Sequence, residues 1–279
     1  MQQLDGRTAV VTGGARGIGR GLAEVLGRQG MRVVVADIDG DHAVATASEL
    51  VETGIDAWGT DVDVTDDASV AALVTTVVER CGGLHVLCNN AGVAGRFGRT
   101  WATPLAEWQW VFDVNVFGIV RCLEAFLPLL LEQDEAHVVN TGSAACFEAL
   151  PAFGPYASSK HAVLGISEAL KRELAAQGAP IGVTVLFPAG IVKSGIMDRE
   201  RFGGALAGLA DADDAPVSTL VRSMFAAGVA AGSDPVACAA AVVDAIKEDR
   251  FVACEQPADL EAWGRHAAAL AAGTVPGWP

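Results

Sequence analysis

The chain has 279 residues, of which 51% are hydrophobic, and its formal net charge at pH 7 is −15. This length can bury the core of one large α/β domain, and residues 1–279 contain no proline-rich or low-complexity linker, so we predict a single domain. The negative charge repels the phosphates of nucleic acids and of anionic lipids, so we expect neither a nucleic acid nor a membrane as partner.

The cysteines and the N-terminus favour a cytoplasmic location. Six cysteines lie at positions 81, 88, 122, 146, 238 and 254, without a Cys-x-x-Cys pair or nearby histidines at ligand spacing. We therefore predict free thiols and no metal site. The N-terminus lacks the basic and apolar succession of a secretion signal, and we expect no uninterrupted apolar run of about 18 residues that could span a membrane.

A glycine-rich turn follows the first predicted strand. Residues 7–12 form a β-branched run typical of a buried parallel strand, and residues 12–19 lead from it into a helical pattern. Glycines let the backbone turn sharply and approach a pyrophosphate, and a helix N-terminus offers free N–H donors. A purely structural turn is the alternative, but the order of strand, glycine turn and helix favours a dinucleotide site.

The second predicted strand, residues 31–36, ends at Asp37. A carboxylate there can accept hydrogen bonds from the adenosine ribose hydroxyls. It would repel a 2′-phosphate by about 4 kcal/mol for unit charges about 4 Å apart at an effective dielectric of about 20. Arg16 in the glycine turn opposes this preference, because its cation can reach such a phosphate. The balance predicts NAD as the cofactor, rather than NADP.

The third and fourth strands are predicted within residues 54–64 and over residues 84–88. Asp63 and Val64, at the carboxyl end of the third strand, are candidate contacts for adenine. The alternative is that Asp61 and Asp63 only satisfy loop amides, and the residues alone do not decide between these possibilities.

Tyr156 and Lys160 lie four residues apart in a predicted helix, and therefore on one helical face. A lysine ammonium beside a phenol favours the phenolate, so the pair predicts a tyrosine pKa lowered from about 10 toward neutrality. Such a phenol can carry a proton in catalysis. The alternative is a surface helix with one aromatic side chain and one solvated cation.

Several motifs follow one another in a fixed order: the glycine turn, Asp63-Val64, residues 89–92, Asn115, Ser143, and Tyr156 with Lys160. In this order and at these spacings, the chain resembles the short-chain dehydrogenase/reductase family over residues 5–255. The resemblance implies a single Rossmann-type doubly wound α/β domain, with a seven-stranded parallel sheet and helices on both faces. It also implies an NAD-dependent alcohol dehydrogenase or ketone reductase that forms a dimer or tetramer.

The resemblance assigns a role to each member of the catalytic set. Ser143 would stabilise the charge that develops on the substrate oxygen, and Tyr156 would be the acid or base. Lys160 would hold the nicotinamide ribose and lower the pKa of the phenol. Asn115, inside a predicted helix of residues 105–131, would hold a water that connects Lys160 to solvent. A locally satisfied helix kink is the alternative for Asn115.

The cofactor contacts implied by the resemblance end in an unusual segment. After a sixth strand, residues 182–187, the chain departs from the family pattern Pro-Gly-x-Val-x-Thr. We prefer to treat Ala189 as an extra residue between Pro188 and Gly190. The alternative is that Ala189 stands where the family has glycine and Lys193 where it has threonine. The predicted cofactor-binding residues are Gly13, Arg16, Gly17, Ile18, Gly19, Asp37, Asp63, Val64, Asn90, Ala91, Gly92, Tyr156, Lys160, Pro188, Gly190, Val192 and Ser194.

Residues 195–235 lie outside the carboxyl ends of the strands, where open sheets bind ligands. We predict that they form a mobile lid, rather than a surface excursion without substrate contact. The lid would enclose an apolar pocket for a hydrophobic secondary alcohol or ketone. The other predicted lining residues are Trp101, Cys146, Phe147 and Phe153.

The sixth strand, together with Lys193-Ser194, is similar to a branch of the family that includes bacterial dehydrogenases of aryl alcohols from lignin dimers, which implies a bulky or aromatic small-molecule substrate. A final strand and helix are predicted at residues 250–254 and 258–272. Two other functions are consistent with the residues. An NADPH-dependent ketoreductase is opposed by Asp37, and an NAD-binding protein without chemistry is opposed by the complete catalytic set.

Overall fold

The computed structural model describes residues 1–188, 191–196 and 215–276. Within these ranges seven strands form one parallel sheet in the order β3-β2-β1-β4-β5-β6-β7. The strands are β1 (Thr8–Thr12), β2 (Arg32–Asp37), β3 (Ala57–Asp61), β4 (Val86–Asn89), β5 (Ala136–Thr141), β6 (Ile181–Leu186) and β7 (Val252–Ala253).

The helices lie between the strands in sequence, as a doubly wound sheet requires. They are α1 (Gly17–Gly27), α2 (Gly40–Glu52), α3 (Asp67–Cys81), α4 (Leu105–Phe112), α5 (Gly118–Leu131), α6 (Gly154–Ala176), α7 (Pro216–Ala231), α8 (Pro235–Lys247) and α9 (Pro257–Ala271). The seven-stranded Rossmann-type prediction is therefore confirmed.

Helices cover both faces of the sheet, and the alternation of the strand side chains explains why. In β2, Val33 and Val35 enter a core shared with α1 and α8, whereas Val34 enters a second core shared with α3 and α5. Successive side chains of a strand point to opposite faces. A strand that is apolar at every position must therefore be covered on both sides, which the valine runs of this chain require.

The order of the sheet reverses at β1, whose neighbours are β2 and β4. Connections leave the two sides of this point in opposite directions, so a crevice opens outside the carboxyl ends of the strands. The glycine turn, the end of β4 and the end of β5 meet at this crevice.

Three predicted elements have clearly different bounds in the structure. The third strand is confined to Ala57–Asp61, since Gly54 adopts a φ of +91° in the turn that precedes it. The helix predicted over residues 105–131 is interrupted by a π-helical turn at Asp113–Phe117, between α4 and α5. The final strand is also shorter than predicted, with only Val252–Ala253 paired to β6.

Among the described residues, one helical stretch, Leu105–Leu131, is long and apolar enough to cross a membrane by length and composition alone. This stretch is not an uninterrupted apolar run, because Glu107, Asp113, Arg121 and Glu124 lie within it. Packing supplies a different reason for its apolar character, because Ile119, Cys122, Phe126 and Leu130 of α5 are buried in the protein core. A core helix passes the same test, so the stretch is weak support for a membrane span.

Part of the predicted lid is ordered secondary structure. α7 occupies Pro216–Ala231, and Val192 forms a parallel bridge with Ser233 behind it. Residues 197–214, including the predicted lid residues Met197, Phe202, Leu206 and Leu209, lie outside the described ranges. The lid and the domain bounds therefore stay predictions. All six cysteines are free thiols, as expected.

Candidate active site

A cavity of about 430 Å³ opens at the carboxyl ends of β1, β2, β4 and β5, beside the first turns of α6. Every predicted cofactor-binding residue within the described ranges lines it, as do Ser143, Tyr156 and Lys160. Among the described members of the predicted catalytic and cofactor-binding sets, Asn115 alone is not in the lining and lies behind the wall. Gly190 falls outside the described residues.

Glycine is required at three points of the turn between β1 and α1. Gly13 and Gly17 have φ values of +61° and +51°, which residues with a Cβ rarely adopt. A Cβ at Gly19 would lie 2.0 Å from the carbonyl oxygen of Gly13. The backbone therefore borders the cavity directly, and the N-terminal N–H groups of α1 can face an anion there.

Asn90 fixes the glycine turn to its neighbours. Its Nδ2 donates to the carbonyls of Thr12 and Gly13, both at 3.0 Å, and its Oδ1 accepts from the hydroxyl of Thr141 at 3.1 Å. The Thr12 hydroxyl accepts from the amides of Asn90 and Ala91. Thr12 and Thr141 have no role in the sequence analysis. The available signal was a hydroxyl at the carboxyl end of each of two strands.

Asp37 is held in one orientation at the end of β2. One carboxylate oxygen accepts from the amide of Ala15 at 3.1 Å, and the other accepts from the amide of Asp39 at 3.2 Å. Only 2% of Asp37 is exposed, and it lines the cavity. Arg16, which the sequence analysis set against Asp37, forms an ion pair of 2.8 Å with Asp39.

Asp63 bonds a neighbouring loop residue and also faces the cavity. Its Oδ1 accepts from the amide and the hydroxyl of Thr65, at 2.8 and 2.7 Å, so it satisfies a loop amide. Asp63 and Val64 also line the cavity. An adenine contact stays a prediction for both residues.

The catalytic set converges on one end of the cavity. Tyr156 and Lys160 face it from α6, where they are 6% and 4% exposed. The side chain of Ser143 hydrogen-bonds Tyr156, and the Ser143 Oγ accepts from the amide of Ala145 at 3.1 Å. Ser143 caps the short 3₁₀ turn Ala144–Cys146 in this way, which fixes its rotamer. A hydroxyl, a phenol and an ammonium therefore share one end of the cavity.

The expectation of an acidified phenol is wrong for the site as it stands. Burial raises the pKa of Tyr156 to about 12, although the hydrogen bond to Ser143 acts in the opposite direction. Lys160 does not offset this effect, because its Nζ lies 5.7 Å from the centre of the phenol ring and donates to the carbonyl of Thr141 at 2.8 Å. Burial also lowers the pKa of Lys160, to about 8. Desolvation outweighs the attraction between the two groups.

Asn115 lies in the π-helical turn, and its amide is fully used by protein groups. Its Oδ1 accepts from the amide of Val93 at 2.8 Å, and its Nδ2 donates to the carbonyl of Val93 at 2.9 Å and to the hydroxyl of Ser159 at 3.0 Å. The helix is interrupted at Asn115, as the alternative interpretation required, but the partners of its amide lie 22 and 44 residues away and are not local. The water-holding role stays a prediction. Through Ser159, whose hydroxyl donates to the carbonyl of Tyr156, Asn115 connects the loop after β4 to α6.

Of the residues predicted for the apolar wall, Ile196 and Phe225 of the lid line the cavity, whereas Trp101, Cys146, Phe147 and Phe153 do not. Phe147 stacks on Trp263 of α9 with ring centres 4.2 Å apart, and Cys146 is buried beneath it. Trp101 is 81% exposed. Phe153 stacks on the back of the Tyr156 ring at 4.4 Å. Sequence position placed these side chains near the site, but packing directs them away from the cavity.

Other apolar residues form the wall, and most of them were missed. Phe225 and Ile196 were included in the predicted lid, whereas the remaining side chains had no distinguishing sequence signal. The additional lining residues are Ile38, Val62, Thr65, Val93, Trp110, Asp113, Val114, Thr141, Gly142, Ile191 and Val229. In the described part of the chain, no group of three or more His, Cys, Asp or Glu side chains could hold a metal ion.

Comparison with known proteins gives a consistent result. The short chain dehydrogenase family model matches residues 7–202. A 1-deoxy-11-beta-hydroxypentalenate dehydrogenase of Streptomyces avermitilis is 42% identical over 187 residues, covering 66% of this chain and 68% of the relative. A 2-dehydro-3-deoxy-L-rhamnonate dehydrogenase (NAD(+)) of a Sphingomonas species is 35% identical over 173 residues, covering 62% of this chain and 68% of the relative.

A solved structure extends the likeness to the whole chain. The short chain dehydrogenase/reductase from Burkholderia phymatum in complex with NAD is 34% identical, with a TM-score of 0.93, covering 100% of this chain and 99% of that one. The family match, the fold and the cavity agree, so this chain belongs to the short-chain dehydrogenase/reductase family of oxidoreductases.

Proposed function

We propose that the chain is an NAD-dependent dehydrogenase that interconverts a hydrophobic, bulky or aromatic secondary alcohol and its ketone, with Tyr156 as the acid or base. One observation carries the proposal. Tyr156, Ser143 and Lys160 face the same cavity as the glycine turn and Asp37. A proton carrier and a dinucleotide site therefore share one space.

The described residues fit NAD. The glycine turn leaves room for a pyrophosphate beside the N-terminus of α1, and the fixed carboxylate of Asp37 is suited to two ribose hydroxyls. Support comes from the relative named for NAD(+) and from the similar structure solved with NAD. NAD supplies the carbon that accepts or returns the hydride.

The protein residues handle the substrate oxygen and its proton. In alcohol oxidation, Ser143 would hydrogen-bond the hydroxyl oxygen, and the phenolate of Tyr156 would take the hydroxyl proton as the C–H bond transfers its electron pair as hydride. In ketone reduction, the phenol would return that proton to the oxygen. Burial keeps the phenol protonated at neutral pH, which suits its role as the acid. The ammonium of Lys160, 5.7 Å from the centre of the phenol ring, would instead hold the nicotinamide ribose.

The substrate class follows from the lining. The cationic side chains in the described part of the lining are Arg16 at the glycine turn and Lys160 beside Tyr156. The wall near Tyr156 is apolar. Such a wall lacks a dedicated clamp for an anionic group, which favours an uncharged substrate. A relative named as a dehydrogenase of a hydroxylated compound supports the oxidation of an alcohol.

We also propose that the protein is a homo-oligomer, either a dimer or a tetramer, and that it is located in the cytoplasm. Exposed apolar side chains on the stretch from the π-helical turn to the end of α5 support an association surface. These side chains are Phe117, Val120 and Leu131.

The test is a panel of secondary alcohols with NAD, followed by absorbance of NADH, using the wild type and Tyr156→Phe. The variant should lose turnover by at least about a thousandfold, because it cannot exchange the proton, and should bind NADH as the wild type does in calorimetric titration. A Tyr156→Phe protein that turns over at the wild-type rate would remove Tyr156 from this role. Wild-type inactivity over the whole panel, with intact NADH binding, would favour the non-catalytic alternative.

A further inference from the structure

Arg16 lies where its cation could favour NADP over NAD, but an ion pair holds its side chain. It lines the cavity with Asp37. Its Nη2 is 2.8 Å from Oδ2 of Asp39, whereas its Nε is buried without a hydrogen-bond partner. One end of this guanidinium is therefore held by a carboxylate outside the predicted site, and the other retains an unused donor toward the protein interior.

Backbone hydrogen bonds hold Asp39 in place independently of Arg16. Its Oδ1 accepts from the amide of His42 at 3.2 Å, which caps the N-terminus of α2. Its own amide donates to Oδ1 of Asp37 at 3.2 Å. The hydrogen bond from His42, followed by the ion pair with Arg16, holds the pKa of Asp39 below its ordinary value. Because its backbone and one carboxylate oxygen are already bonded, little further side-chain freedom is lost when the other oxygen binds Arg16.

We propose that Asp39 is a second specificity-determining residue for the cofactor, which holds Arg16 away from the position of an adenosine 2′-phosphate. The inference rests on the proposed use of NAD. Asp37 repels a 2′-phosphate directly, and Asp39 occupies the cation that would otherwise compensate for that repulsion. A cation in the glycine turn is thus compatible with NAD preference, because the chain provides its counter-ion.

The ion pair is half-exposed, with the Arg16 and Asp39 side chains at 32% and 36%. Solvent-exposed ion pairs contribute little free energy, so the effect of Asp39 on cofactor specificity should be moderate and should decrease as the salt concentration rises. Loss of the Asp39 charge acts in two ways. It removes one negative charge close to the phosphate position, and it releases Arg16 to bind the phosphate.

The test is Asp39→Asn, because asparagine caps a helix about as well as aspartate and so preserves α2. Calorimetric titrations with NADPH and NADH should show the NADPH affinity, relative to NADH, rising about three- to fivefold. Binding of adenosine 2′,5′-bisphosphate, which lacks the nicotinamide, should improve by a similar factor. Asp41→Asn is the matched control. It removes one charge from the first turn of α2, where Asp41 is exposed, and should leave the ratio nearly unchanged.

A double-mutant cycle identifies the cause. In an Arg16→Ala background, Asp39→Asn should lose most of its effect, since there is no cation to release. An unchanged NADPH to NADH ratio in Asp39→Asn would overturn the inference, as would an equal gain with and without Arg16. Wild-type protein that binds NADPH more tightly than NADH would instead contradict the proposed cofactor, which the wild-type titration alone decides.

Discussion

The two ends of the cavity are built by different kinds of interaction. At the cofactor end, a contiguous stretch of backbone is fixed by glycine geometry and by hydrogen bonds from Asn90 and to Asp37. At the substrate end, the phenol of Tyr156 is supported by aromatic rings from separate segments. Phe153 stacks on Tyr156, Phe97 stacks on Phe153 at 4.7 Å, and Phe225 of α7 tilts against both phenylalanines.

This difference predicts that substitutions at the two ends of the cavity affect cofactor binding and turnover separately. Backbone hydrogen bonds and steric limits are local, so a change at the cofactor end should abolish binding and leave the aromatic stack in place. Ring packing is cumulative and adaptable, so a change at the substrate end should reduce turnover by a moderate factor while cofactor affinity persists. Three experiments test this separation.

The largest effect is expected from Gly19→Ala. The added Cβ would lie 2.0 Å from the carbonyl oxygen of Gly13 and 2.5 Å from Nδ2 of Asn90, so the turn must shift. Overpacking of this kind commonly costs about 1–3 kcal/mol, which corresponds to up to about a hundredfold weaker NADH binding in calorimetric titration.

The matched control is Gly165→Ala in α6, where a Cβ would meet nothing within 4 Å. This variant should bind NADH normally and be more stable to heat by about 0.5–1 kcal/mol, because alanine loses less backbone entropy in a helix. Wild-type NADH affinity in Gly19→Ala would show that the turn does not border the cofactor as proposed.

The next effect is the pH dependence of alcohol oxidation. The pKa of Tyr156 is raised to about 12, so in the neutral range the phenolate fraction should grow about tenfold per pH unit. The pKa of Lys160 is lowered to about 8, so the supporting ammonium is lost above that pH. The oxidation rate should therefore rise with a slope near one up to about pH 8 and then flatten.

The chain offers a direct check of this profile, because it contains one tyrosine. With a pKa of about 12, Tyr156 should show no detectable phenolate absorbance in the near ultraviolet between about pH 6 and pH 8, and no other phenol interferes with this measurement. Affinity for NADH, set at the opposite end of the cavity, should stay nearly constant between about pH 6 and pH 8. A flat oxidation rate over the same range, with the chemical step rate-limiting, would contradict the role of the phenol.

The smallest effect is expected from Phe153→Leu. Leucine keeps the site apolar but removes the ring that stacks on Tyr156 at 4.4 Å. An aromatic pair contributes about 0.5–1.5 kcal/mol beyond its buried area, so kcat should fall by roughly three- to tenfold with NADH affinity unchanged. Phe117→Leu, on the exposed side of the π-helical turn, is the control and should leave kcat intact in monodisperse protein. Equal losses of kcat and NADH affinity in Phe153→Leu would mean that the two ends are not separable.

The same division explains which of the predicted residues face the cavity. The glycine turn, Asp37, Ser143 and the Tyr156–Lys160 pair all face the cavity, because each stands at a strand end or on a helix face that sequence periodicity identifies. The apolar wall was predicted poorly. Trp101, Cys146 and Phe147 are close in sequence to the site, yet the choice of which ring faces the cavity depends on partners such as Trp263, more than 100 residues away.

The prediction of a lowered pKa for Tyr156 fails for a related reason. Helical spacing correctly predicts that Tyr156 and Lys160 share a face, but the spacing carries no information about burial. Desolvation of both groups raises one pKa and lowers the other, and the carbonyl of Thr141, on a different strand, determines where the ammonium points. Asn115 shows the same limit, because neither the π-helical turn nor its three partners can be derived from a helical pattern.

The amino-acid sequence by itself determined the parallel sheet, the dinucleotide turn and the shared helical face of Tyr156 and Lys160. These features depend on short-range rules: apolar runs must be buried, glycine alone tolerates certain backbone angles, and residues four apart share a helical face. Tertiary structure alone decided the protonation behaviour of Tyr156, the pairing of Arg16 with Asp39 and the composition of the apolar wall. Those properties depend on desolvation and on contacts between segments distant in the chain, which no local pattern encodes.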